Sequence, residues 1–108
     1  MNKRNLSAST QNTGVVVTST ASTGQAVHTA ATDPDQMFLW AYNSDSSDVD
    51  LTLAFGGTTS NNLLVITIPA GQTYQVLEGQ RLGPTLNLRA WAGTTGVINL
   101  IGYANSIA

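Results

Sequence analysis

The sequence predicts an all-β protein: an antiparallel β-sandwich of jelly-roll or Ig-like topology, with about seven or eight short strands and a flexible N-terminal arm. Three observations carry this reading. β-branched residues, Val, Ile and Thr, recur throughout, and the apolar positions alternate with period two. Clusters of Gly, Pro, Asn and Asp interrupt them at spacings of about 8 to 12 residues. No stretch repeats its apolar positions every 3.6 residues over the ten or so that an amphipathic helix requires.

Residues 1–24 are polar, small and repetitive (SASTQNTG, TSTASTG), with Val15-Val16-Val17 the single apolar island. They read as an arm, either free or ordered on a partner, with Val15, Val16 and Val17 adding to a sheet edge. Residues 25–108 read as one sandwich domain. Its first strand, Gln25 to Ala31, ends at the turn Asp33-Pro34-Asp35. In the next, MFLWAYN, Phe38, Trp40 and Tyr42 point one way and Met37, Leu39 and Ala41 the other.

After the polar turn Asn43 to Asp48, Val49, Leu51, Leu53 and Phe55 alternate with Asp50, Thr52 and Ala54, the pattern of a half-buried strand. Gly56 to Asn61 is a loop. Leu64, Ile66 and Ile68 then share one face of a strand and Leu63, Val65 and Thr67 the other, before the corner Pro69-Ala70-Gly71. Tyr74 and Val76 mark the strand beyond it, and Glu78 to Pro84 reads as a loop. Leu86, Leu88 and Ala90 form an inward row opposite Asn87, Arg89 and Trp91, and Gly93-Thr94-Thr95-Gly96 makes a hairpin into Val97 to Tyr103.

The strands at 37–42, 62–68 and 97–103 are apolar on both faces. A two-sheet sandwich needs only one buried face per sheet, so Leu63, Val65, Val97 and Ile101 exceed what its core requires. Their outer side calls for cover by loops or the arm, by another copy, or by a larger surface.

Composition narrows the function classes. Only 9% of residues are charged, against about 25% in ordinary domains, and Ser, Thr, Asn and Gln supply the polarity. With four basic residues and a net charge of -2, the chain lacks the clustered Lys and Arg that nucleic acid requires. Cysteine is absent, which removes disulfides and thiolate metal sites. No apolar run has the length of a membrane span, and the opening MNKRNLSAST has no apolar region behind its charges, so the reading is a protein made in the cytoplasm without a signal peptide.

Chemistry-bearing clusters are few. His28 is the one histidine and has no carboxylate beside it in the sequence, so neither a nucleophilic dyad nor a His-based metal site has its parts. Asp45, Asp48 and Asp50 lack the Gly and distal Glu of a calcium loop and read as a self-bonded turn. Glu78, the one glutamate, has no evident carboxylate opposite it. No catalytic residue, metal site or cofactor is expected. Arg89 and Trp91 on the outward row, with Trp40, suit an interface anchor or a carbohydrate platform, or else Trp91 is core.

The segment from Leu51 to Asn105, especially LAFGG, IPAGQTYQVLEG, LNLRAWAG and INLIGYAN, resembles small β-sandwich proteins of bacteriophage virions, most of all capsid decoration (cement) proteins. The resemblance is one of pattern and carries no diagnostic motif. It implies a non-enzymatic virion protein that forms a homo-oligomer, often a trimer, and clamps the major capsid protein of an assembled head. The contacts expected on that reading are Val15, Val16, Val17, Leu63, Val65, Arg89, Trp91, Val97 and Ile101. A neck or tail subunit and a carbohydrate- or receptor-binding module are the alternatives.

Overall fold

A computed structural model describes residues 2–9, 13–21, 24–57 and 62–106. These form nine strands: β1 (Asn2–Asn5), β2 (Val15–Val17), β3 (Gln25–Thr29), β4 (Asp35–Asn43), β5 (Val49–Phe55), β6 (Leu63–Ile68), β7 (Thr73–Leu82), β8 (Asn87–Ala92) and β9 (Ile98–Ser106). One sheet runs β1-β9-β4-β7, with β2 also on β9, and the second runs β3-β8-β5-β6. All pairings are antiparallel. The two sheets pack as the expected β-sandwich. Among the described residues no helix is long and apolar enough to cross a membrane.

The pairing is nested. β5 pairs with β6, β4 with β7, β3 with β8 and β2 with β9, as if one long hairpin had been folded over itself. Each connection from β6 onward therefore crosses from one sheet to the other. Pro69 to Gln72 is such a crossing: Gln72 N donates to Pro69 O at 3.1 Å, and Gly71 holds a φ of 69° at the third position of the turn. The turn at 93–96 crosses too, which corrects its reading as a hairpin, since β8 and β9 lie in different sheets.

Strict alternation builds the core. Met37, Leu39 and Ala41 of β4, Leu51 and Leu53 of β5, Leu88 and Ala90 of β8 and Leu100 of β9 are fully buried between the sheets. Each large side chain among them favours folding by roughly 1.5–3 kcal/mol over its exposed state. Close approach of β4 and β9 requires Gly102, because a Cβ there would run into the Phe38 carbonyl oxygen.

Three strand readings are corrected. β7 runs through Glu78 to Leu82, so that stretch is strand and not loop. It is bent by two bulges: Gly79 lies unpaired between the Met37–Gln80 and Phe38–Glu78 pairs, and Val76 between Leu39–Leu77 and Trp40–Gln75. Leu86 precedes β8 and is exposed rather than inward. The N-terminal segment, read as an arm either free or ordered on a partner with Val15, Val16 and Val17 adding to a sheet edge, forms over its described residues two strands on β9 of the same chain. Residues 1, 10–12 and 22–23 of the arm, and 58–61 of the loop before β6, lie outside the described residues.

Candidate functional site

The side chains expected to contact a partner separate into three groups. Val15 and Val17 alternate inward from β2 and are buried in the core, leaving Val16 as the outward member of the trio, 46% exposed. Val97 precedes β9 and packs, half-buried, against the core. The structure thus corrects the surface role of Val15, Val17 and Val97: they complete the sandwich itself.

Leu63, Val65, Arg89 and Trp91 come together on the outer face of the second sheet. Register sets Trp91 and Val65 on either side of Thr52, and Arg89 and Leu63 on either side of Ala54. Their side chains cover those two small residues, which are buried although they point away from the core. Val65 stands out most, at 60% exposure. Arg89 Nη2 donates to Gly24 O at 2.9 Å, and Trp91 lies against Gly24, so this pair is anchored to the entry of β3.

Val16 and Ile101 lie on the opposite face of the molecule. There, on the first sheet, register aligns Val16 with Asn99 and Tyr42, Ile101 with Trp40 and Gln75, and Tyr103 with Phe38. Phe38 and Tyr103 stack at 5.0 Å, and Trp40 tilts toward Tyr103 at 6.3 Å. Lys3 Nζ lies 5.3 Å from the Tyr103 ring, within cation–π range. Trp40 and Trp91 therefore face away from each other on different sheets, and no single site contains both.

The acidic cluster is accounted for locally. Buried Asn43 accepts from Asp45 N at 2.9 Å and donates to Ser47 O and Ile68 O, both at 2.9 Å, while Asp48 Oδ1 accepts from Ala70 N at 3.0 Å. Among the described residues no three His, Cys, Asp or Glu side chains converge to hold a metal.

Sequence reasoning missed one polar cluster. A bulge at Val27, between the Ala26–Arg89 and His28–Leu88 pairs, reverses the alternation of β3 and turns His28 inward. Its Nε2 lies 2.6 Å from Asp35 Oδ2, and Asp35 Oδ1 accepts from Arg4 Nη2 at 2.7 Å. On the other side of the ring, Nδ1 accepts from Ser7 N at 3.0 Å, with Ser7 Oγ at 3.1 Å. A main-chain N–H only donates, so the ring proton sits on Nε2 and goes to Asp35. Asp35 is fully buried at the start of β4, not in the turn the sequence suggested.

Ser, His and Asp in a row have the composition of a hydrolytic triad, but the bonds are those of a clamp. The Nδ1 lone pair is engaged by the Ser7 amide, and Ser7 Oγ itself accepts from Thr29 N at 3.1 Å. The amides after the serine are engaged as well, Ala8 N on Val27 O and Ser9 N on Leu6 O, leaving neither as an oxyanion donor. What the cluster does is hold the N-terminal segment of one sheet against β3 of the other. The only sequence-level signal for it would have been the bulge, which no local residue pattern announces.

Comparison of the chain with protein-family models, with curated proteins and with solved structures finds no match.

Proposed function

We propose that the protein is a non-enzymatic virion structural protein, a decoration or cement protein that binds and stabilises an assembled phage capsid after synthesis in the host cytoplasm. The observation that carries this reading is the outer face of the first sheet, where Val16, Tyr42 and Ile101 are 46%, 43% and 48% exposed beside half-buried Phe38, Trp40 and Tyr103. An apolar, aromatic face on a charge-poor chain favours a broad protein surface as partner. The nested strand order supports a jelly roll in preference to an Ig-like sandwich, and jelly rolls serve as capsid and lectin domains, a fold-level analogy. Many weak contacts repeated across a lattice would add to a large stabilisation of the shell.

The test is direct. Purified phage heads lacking the protein should bind it and gain thermal stability, and Ile101→Asp should fold normally yet lose most of that binding. Heads that neither bind the protein nor gain stability would refute the reading; a dozen or fewer copies per particle would move it to the neck or tail.

A carbohydrate-binding role has one observation in its favour, the row of Phe38, Trp40, Tyr42 and Tyr103 bordered by the amides of Gln36, Gln75, Asn99 and Asn105. It predicts tryptophan fluorescence quenching by a glycan and loss of that signal in Trp40→Ala.

A further inference from the structure

The sandwich has four free strand edges among its described residues, and three of them are blunted. β7 carries two bulges and the charges of Glu78 and Arg81. β3 is five residues long and bulged at Val27. β1 and β2 are four and three residues long, and β1 brings Lys3 and Arg4. Short length, bulges and charge are the devices that keep an edge from pairing with another chain.

β6 has none of them. It pairs with β5 alone, six residues in unbroken register from Val49–Ile68 to Ala54–Leu63. Its sequence is LLVITI, and the whole run of 27 residues from Leu51 to Leu77 holds no Asp, Glu, Lys or Arg. Every second residue of such a strand aims its N–H and C=O away from β5, toward a position no described strand fills. A groove of about 390 Å³ opens beside it, lined by Phe55, Asn62, Leu63, Leu64, Gln80 and Arg81.

We infer that β6 is a self-pairing edge, and that its partner is β6 of a second copy of this chain. A strand that fits there must be free of charge and apolar on both faces, because one face continues the Trp91–Thr52–Val65 row and the other the core row of Leu64, Ile66 and Ile68. Among the strands of this chain with a free edge, β1 is charged, β3 is bulged, β7 is both, and β2 has three residues, so β6 alone offers a longer, unbroken, uncharged edge of that description. Antiparallel pairing across a two-fold axis sets the residue on the axis opposite its own copy and every other residue opposite its mirror position along the strand, so a charge on the axis would meet a like charge and one elsewhere would be buried in the seam; β6 has none. If both copies are to keep their cores on the same side, outward residues must oppose outward ones. Centring on Val65 satisfies this, with Val65 opposite Val65, Leu63 opposite Thr67 and Leu64 opposite Ile66. The product is one continuous sheet, β3-β8-β5-β6 followed by the same strands in reverse. It closes at two copies, whereas the virion resemblance implies a homo-oligomer that is often a trimer. The inference stands on the edge alone, and the failure of capsid binding would leave it intact.

Sedimentation equilibrium tests it. The wild-type chain should show twice its 11.3 kDa mass. Val65→Lys and Val65→Glu should each sediment as monomers with wild-type circular dichroism and unfolding midpoint, since the side chain is 60% exposed. An equimolar mixture of the two should return to the doubled mass, because lysine then faces glutamate. A monomeric wild type at all accessible concentrations would overturn the inference. So would variants that associate as wild type does, or a mixture that stays monomeric.

Discussion

Along one long side of the sandwich, where β3 lies beside the N-terminal segment, side chains stitch the two sheets together; along the other, where β6 and β7 form the edges, the sheets part around a groove. On the closed side, Gln25 of β3 accepts from Thr18 N at 2.6 Å and Ser19 N at 3.0 Å and donates to Val16 O at 2.8 Å. A few residues on, His28 links Ser7 to Asp35, and Arg4 completes the carboxylate's partners. On the open side Phe55, Leu63 and Leu64 line the groove opposite Gln80 and Arg81, and β6 alternates between half-buried and exposed along most of its length. Buried polar groups are costly unless every partner is present, so a side built from them fixes one arrangement. An apolar edge with free backbone groups fixes nothing within the chain and is suited to a contact outside it.

Mutations should separate the two sides. The largest effect is expected for Asp35→Ala, which removes a fully buried carboxylate from His28 and Arg4 and should cost about 3–5 kcal/mol in urea unfolding. Gln25→Ala leaves two main-chain amides of the N-terminal segment without their acceptor and should cost about 1–3 kcal/mol by the same measurement. Ser7→Ala keeps the amide bond to His28 and loses only the hydroxyl contacts to the ring and to Thr29 N, for about 0.5–1.5 kcal/mol. Val65→Lys on the open side should change stability by less than about 0.5 kcal/mol while abolishing association. A stability loss at Val65 as large as that at Asp35 would erase the distinction.

The alternation in β4 and β5 was legible because period two survives wherever a strand is unbroken, and it set Met37 with Leu39, and Leu51 with Leu53, on the faces that the structure buries, although which face of β4 turns inward was not decided by pattern. Bulges were not legible. They moved His28 inward and buried Val76 and Leu77 together, and they arise from pairings between distant strands. β1, with the sequence NKRN, has no strand-forming character; it is a strand because Tyr103 to Ser106 of β9 offers it a ladder. Asp35 lies seven residues from His28 and 31 from Arg4, so a local reading could see only its turn-forming neighbour Pro34. Of the expected contact residues, Val16, Leu63, Val65 and Ile101 face outward or onto the groove, whereas Val15 and Val17 were read as part of an arm that contacts a partner because the strand they pair with, β9, lies more than 80 positions away.

Native-state hydrogen exchange, followed at low and high protein concentration, tests the contrast between the sides most directly. The account predicts that amides of β3 are protected at every concentration, while those of β6 that point away from β5 exchange fast in dilute solution and become protected as concentration rises. Protection of the β6 amides that is independent of concentration, or exchange at β3 as fast as at β6, would contradict it.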